Sequence, residues 1–167
     1  MTSGSSLGRA ALAAVRRIQG DRRATAALEF AIIGLPFFYI LLGILQMGIY
    51  YMAQAALDDG VSTTASNLRN SFNTGTAPSL PTGSTLKSNI VSNSGGIIAN
   101  TSSLAVDMRA LTTLDTGAVP ITDGTVDSVT TSVPIVLRAQ FQVMTIAPGF
   151  PLSMTVASAA ILRFSSF

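Results

Sequence analysis

Between Glu29 and Asp58 the chain carries no charge: residues 30–57 form a 28-residue uncharged, mostly apolar run with Arg22 and Arg23 behind its head. No other feature limits the possible folds as tightly. As a helix the run extends about 42 Å at 1.5 Å per residue, against about 30 Å of hydrocarbon in a bilayer. It is long enough to cross a membrane. Acidic side chains are rare in such helices, at roughly 2.5–3.5 kcal/mol for Asp at the centre on insertion scales. A lone carboxylate at the head of the run therefore calls for a reason of its own.

Charge separates a leader from the remainder. Residues 1–24 hold Arg9, Arg16, Arg17, Arg22 and Arg23 against Asp21, a balance of +4, while the rest carries five basic and seven acidic residues, a balance of −2. The basic excess lies in the leader, so no basic patch points to nucleic acid. The 167 residues include no Cys and no His. That removes disulfides, thiolate metal sites, the commonest general base and the commonest metal ligand. A hydroxyl nucleophile would need a lysine partner, and Lys87 is the only lysine. The composition predicts a non-enzyme without catalytic residues, metal or cofactor.

The arginine excess lies N-terminal to the apolar run, so the positive-inside rule places the leader in the cytoplasm and residues 58–167 on the far side. Gly34, Pro36, Gly43 and Gly48 interrupt the run. Gly43 and Gly48 are five apart and make no GxxxG pair. Past the run, Leu57, Val61, Ala65, Leu68 and Phe72 recur at helical period, with Asp58, Asp59, Asn67 and Arg69 off that stripe. This predicts that the helix continues as an amphipathic one whose stripe packs on an outer domain. Gly60 weakens it by about 1 kcal/mol relative to Ala and is a candidate bend.

Residues 73–83 read as a turn-rich linker and residues 84–91 as a short helix with Leu86, Ile90 and Val91 inward. The period then changes to two. Leu104, Val106 and Met108 alternate with Ala105, Asp107 and Arg109, and Val133 to Val143 alternate likewise. Leu152, Met154 and Val156 open a third strand that runs toward Phe164, after a turn over residues 147–151. One-sided alternation predicts an antiparallel sheet with one buried face, and Asp123-Gly124 reads as a further hairpin turn. A long helix laid on that face gives an α+β fold.

Thr25 and Glu29 are four residues apart and share a helix face. A cut between Ala24 and Thr25 would remove every leader arginine and give Thr25 a free α-amine of pKa about 7.7–8.0. The Glu29 carboxylate of one subunit would then have a cationic partner on its neighbour, in a setting where either charge alone is costly. The alternative is that Glu29 sits at the cytoplasmic interface and reaches water.

Residues 22–68 resemble the TadE-like family of the tight-adherence (Flp) pilus machinery. The resemblance rests on Arg22-Arg23, on Glu29-Phe30-Ala31 with Pro36 seven residues after the acid, and on Gly43, Gly48, Ala56, Leu57 and Ala65. Residues 133–164 are similar to that family's C-terminal region. Ala24 stands where prepilin peptidases usually take Gly, and Gln46 where many members carry an acid. The resemblance implies a pilin-like chain: a leader over 1–24, a transmembrane helix over 25–57 and a periplasmic or extracellular α+β head over 58–167. It implies a minor pilin or pseudopilin of type IVc pili that supports adhesion and biofilm formation. Ala24 and Thr25 would be the processing site, and Glu29, Phe30 and Pro36 the assembly residues. Its partners would be the major and other minor pilins, prepilin peptidase, the inner-membrane pilus platform and the lipid bilayer, with no nucleic acid. Two other readings share the architecture: an uncleaved single-pass assembly protein of the inner membrane, and a tip adhesin whose head binds a ligand.

Overall fold

The computed structural model describes residues 22–75, 80–99, 101–114, 119–127, 133–146, 149 and 153–163. Most of the leader, the core of the 73–83 linker and most of the 147–151 turn lie outside the described residues, as does the strand extension to Phe164. The first helix, α1 (Arg22–Asn73), runs for 52 residues with Pro36 inside it. Proline has no N–H to donate to the carbonyl four residues back, here that of Ile32, and its ring crowds that carbonyl. Such a defect is tolerated in apolar helices where other polar groups or a local backbone adjustment satisfy the freed carbonyl.

Two compact units divide the chain, residues 1–44 and residues 45–167. The described part of the first is α1 alone. Its large apolar side chains from Leu28 to Ile44 are exposed, apart from a half-buried Leu42.

The second unit is an α+β head. After α1 come α2 (Gly83–Asn93), a 3-10 turn (Thr101–Ser103), β1 (Leu104–Ala110), a four-residue α3 (Leu111–Leu114), β2 (Ile135–Met144) and β3 (Ser153–Leu162). The three strands form one antiparallel sheet in the order β1-β2-β3. Pairing of Val106 with Ala139, and of Ala139 with Ser158, puts the apolar members of each alternation on the same face. Leu104, Val106, Met108, Leu137, Ala139, Val143, Val156 and Leu162 are buried there.

The expected helical stripe supplies the cover. Leu57, Val61, Ala65 and Leu68 are buried in the same core as the sheet face, with Phe72 packed against them, and Leu86 and Ile90 of α2 complete it. Fully burying a Leu or Ile contributes roughly 1.5–3 kcal/mol, so these few side chains matter on the scale of a small domain's net stability. The sequence expectation for this short helix, 84–91, falls inside the observed α2. Thr82 caps its start by accepting from the Thr85 N–H.

Gly60 lies inside α1 where α2 crosses. A Cβ there would stand 2.8 Å from the Ile90 carbonyl oxygen. The missing side chain is what allows the two helices to approach so closely. The helix runs unbroken through Gly60, and the structure gives this glycine a role in close contact with α2.

Asp123-Gly124 departs from the expectation. Gly124 turns at φ +75°, with the Thr125 N–H donating to Thr122. The chain then runs parallel to β1, with Val126 bridged to Met108, so this is no hairpin joining two antiparallel strands.

Candidate functional site

The proposed processing and assembly residues all lie within about the first four turns of α1. Ala24 is helical, Thr25, Glu29, Phe30 and Pro36 are exposed, and Thr25 and Glu29 are one turn apart on a common face. The Phe30 ring lies beside Gly34, where an added Cβ would meet it at 3.7 Å. These residues form a helix surface, not a pocket. What that surface offers is apolar area and one carboxylate. α1 is long and apolar enough to cross a membrane, with mean hydropathy 2.2 over its best window and none of that window buried. Among the described residues no group of His, Cys, Asp or Glu is placed to hold a metal.

The surroundings of α1 change at Gln46. This residue is buried, and its side chain makes two bonds to the end of the β2–β3 hairpin. Its Oε1 accepts from the Ile146 N–H at 2.9 Å, and its Nε2 donates to the Met144 carbonyl at 3.4 Å. One amide thus satisfies a donor and an acceptor that the strands leave open where β2 ends. Two turns on, Gln54 Nε2 donates to the Ala157 carbonyl at 3.0 Å and to Asp58 Oδ1 at 3.1 Å. Sequence reasoning noted Gln46 only as a departure from a family acid. A polar residue inside an apolar run was the available signal, but its partners lie about a hundred residues away.

The outer face of the sheet holds the head's main charge cluster. Asp107 is fully buried although its position alternates with the core residues. Arg138 lies directly across on β2 and grips it with Nε at 2.8 Å from Oδ1 and Nη2 on Oδ2. Arg109 Nε adds a contact to Oδ2 at 3.3 Å, and the Thr122 N–H another at 3.3 Å. Arg138 Nη1 also donates to the Val119 carbonyl at 2.7 Å. The pair thereby clamps residues 119–122 over this face. Burial of a bidentate pair with further hydrogen bonds is the arrangement in which ion pairs offset their desolvation cost.

The same segment closes the free edge of β1. Thr125 O accepts from Met108, Asp127 N–H donates to Met108, and Gly124 N–H donates to Val106. Asp123 Oδ1 accepts from the Val106 N–H, and Asp127 Oδ2 from the Ala110 N–H. Exposed edges invite unwanted pairing, and this one is capped along its length. The Lys87 ammonium hydrogen-bonds Asp123 at 2.7 Å and holds that carboxyl below its ordinary value against an opposing burial effect. The N–H groups of Val106 and Gly124 push it in the same direction as Lys87.

The family model described as TadE-like protein matches residues 24–66. No curated protein and no solved structure matches the chain. The matched stretch begins at Ala24, takes in Glu29, Phe30 and Pro36, and ends inside the buried stripe of α1. Over these residues, about a quarter of the chain, the sequence is similar to TadE-like proteins. That family is not known for enzymatic activity.

Proposed function

We propose that this chain is a pilin-like minor subunit or assembly component of a tight-adherence pilus. The observation that carries the reading is the TadE-like segment itself: an apolar, unburied helix that opens with Glu29 and leads into a folded head. Residues 25–45 span about 30 Å as a helix, the thickness of a bilayer's hydrocarbon. We assign the membrane segment to them, with the basic leader cytoplasmic and the head periplasmic. The head then begins at the Gln46 anchor, earlier than the expected 58.

In this reading prepilin peptidase cuts between Ala24 and Thr25 and removes the leader arginines. The new amine of an incoming subunit pairs with Glu29 of a neighbour, and the subunit leaves the bilayer for a filament of major and minor pilins at the inner-membrane platform. Phe30 and Pro36 shape the surface that packs there. Adhesion and biofilm formation follow from the assembled pilus and need no chemistry in the head.

The test recovers the chain from membranes and from sheared pili of wild-type and Glu29→Ala cells, with intact mass and N-terminal sequence read on each. The expected result is a chain starting at Thr25 in pili, with the Glu29→Ala chain retained in membranes and piliation reduced. Normal piliation by a well-expressed Glu29→Ala chain would remove the pairing role. A pilus-borne chain starting at Met1 or Thr2 would remove the processing step.

A further inference from the structure

Where β2 ends, the head exposes an apolar pair, Met144 and Ile146. From Ala139 to Leu162 the chain has 24 residues without a charge, a run nearly as long as the one in α1. It folds as a hairpin, so it cannot span a bilayer. Its end is nonetheless strongly apolar on the outside: Met144 is 82% exposed and Ile146 63% exposed.

The position of this tip is fixed by Gln46. The two bonds from the Gln46 amide hold Met144 and Ile146 beside the helix at the residue where the head begins. Around the same point α1 exposes Leu45, Met47, Tyr51 and Met52. Among the described residues, most of the large apolar side chains that the head leaves exposed therefore gather at one end. A scattered exposed Leu is ordinary, but a concentrated patch marks an interaction surface.

Charge spacing identifies the occupant. Along α1 the first charge after Gln46 is Asp58, twelve residues on, or about 18 Å. Along β2 the charge nearest to Met144 is Arg138, six residues back, or about 20 Å at 3.3 Å per residue. Helix and hairpin thus both stay free of charge for the same distance from the junction. A protein partner would need no such match between two unrelated elements. A lipid layer that ends near Gln46, where the proposed membrane segment stops, meets both elements at one level. Tyr51 suits the same zone, where an apolar ring with a polar tip is favoured.

We infer that Met144 and Ile146 insert into the outer boundary between headgroups and acyl chains, and that Gln46 sets their depth. The contact rests on the proposed membrane placement of α1. It gives the head a second point of attachment and so a fixed orientation toward the bilayer. Because the patch has no charge, neutral lipid suffices. Release of the subunit into a filament then has to withdraw the tip as well as the helix.

The chain has no cysteine, so single-cysteine variants take a nitroxide at one place. Leu35→Cys, Ile146→Cys and Ser88→Cys of the full chain are spin-labelled in phosphatidylcholine vesicles. Collision with oxygen, which partitions into lipid, is compared with collision with a water-soluble nickel complex. The expected result is oxygen contact with loss of nickel contact at Leu35 and Ile146, and full nickel contact at Ser88. Nickel contact at Ile146 equal to that at Ser88, with Leu35 in lipid, would overturn the inference and leave the membrane helix standing. Shielding of Ile146 from both probes would overturn it in favour of a protein cover. Nickel contact at Leu35 would overturn the helix assignment and the inference together.

Discussion

Up to Leu45 the long helix turns apolar side chains outward on every side, and from Gln46 the same helix buries a stripe and exposes the rest. Leu35 is 73% exposed in the first part, whereas Leu57 in the second is fully buried. Both are leucines in one unbroken helix and in one charge-free run. Their difference shows that apolarity alone does not tell which solvent a helix faces. A helix apolar all round fits hydrocarbon, while a one-sided stripe fits a protein core. Gln46, Gly60 and the periodic buried residues mark the second kind. Side chains that meet folded protein need specific partners, and those that meet lipid do not.

Substitutions can break this contrast. Leu57→Ala should lower the unfolding free energy of the head by about 2–5 kcal/mol, whereas Leu35→Ala should leave it unchanged. Denaturant titration in detergent, followed by a probe in the sheet, measures both. Equal effects would mean that the two halves of the helix share one environment. Gln46→Leu should cost about 1–3 kcal/mol, because the Ile146 N–H and Met144 carbonyl lose their partner. The same titration reads it, and a neutral result would show that water or lipid headgroups replace the amide at no cost.

The smallest effect expected is a pH dependence remote from the helix. The Lys87 ammonium holds the folded pKa of Asp123 below the ordinary carboxylate range. A depressed carboxyl contributes stability above its unfolded pKa and loses it as pH falls through the folded value. The head should therefore lose a small increment of stability below about pH 4. Lys87→Met should flatten that increment by a small loss of stability at pH 7 and none near pH 2, small because Asp123 is half exposed. Melting curves across pH 2–7 give the comparison.

The parts of the fold that were legible depend on local period. The stripe from Leu57 to Phe72, the alternations in all three strands and the short helix at Leu86 and Ile90 needed only neighbours in sequence. Asp107 was not legible as buried. Alternation assigned it to solvent, and its burial follows from the register that sets it opposite Arg138 and from the 119–127 segment that covers both. Asp123-Gly124 read as a hairpin because that dipeptide favours tight turns, but the chain after it follows β1 in parallel. The residues proposed for assembly, Glu29, Phe30 and Pro36, stand out as a motif because they lie within a few turns of one helix. Gln46 was not, because its role depends on a strand end far along the chain.

In the proposed reading the head starts at the Gln46 anchor, where α1 changes surroundings. Two truncated chains test it directly, one beginning at Leu45 and one at Asp58. The second lacks Gln46 with its two hairpin bonds, and also lacks the buried Ala53, Ala56 and Leu57. Thermal unfolding in mild detergent is expected to give a cooperative transition for the Leu45 chain and a lower, broadened or absent one for the Asp58 chain. Equal melting temperatures for the two would contradict the account, because residues 45–57 would then contribute nothing to the fold of the head.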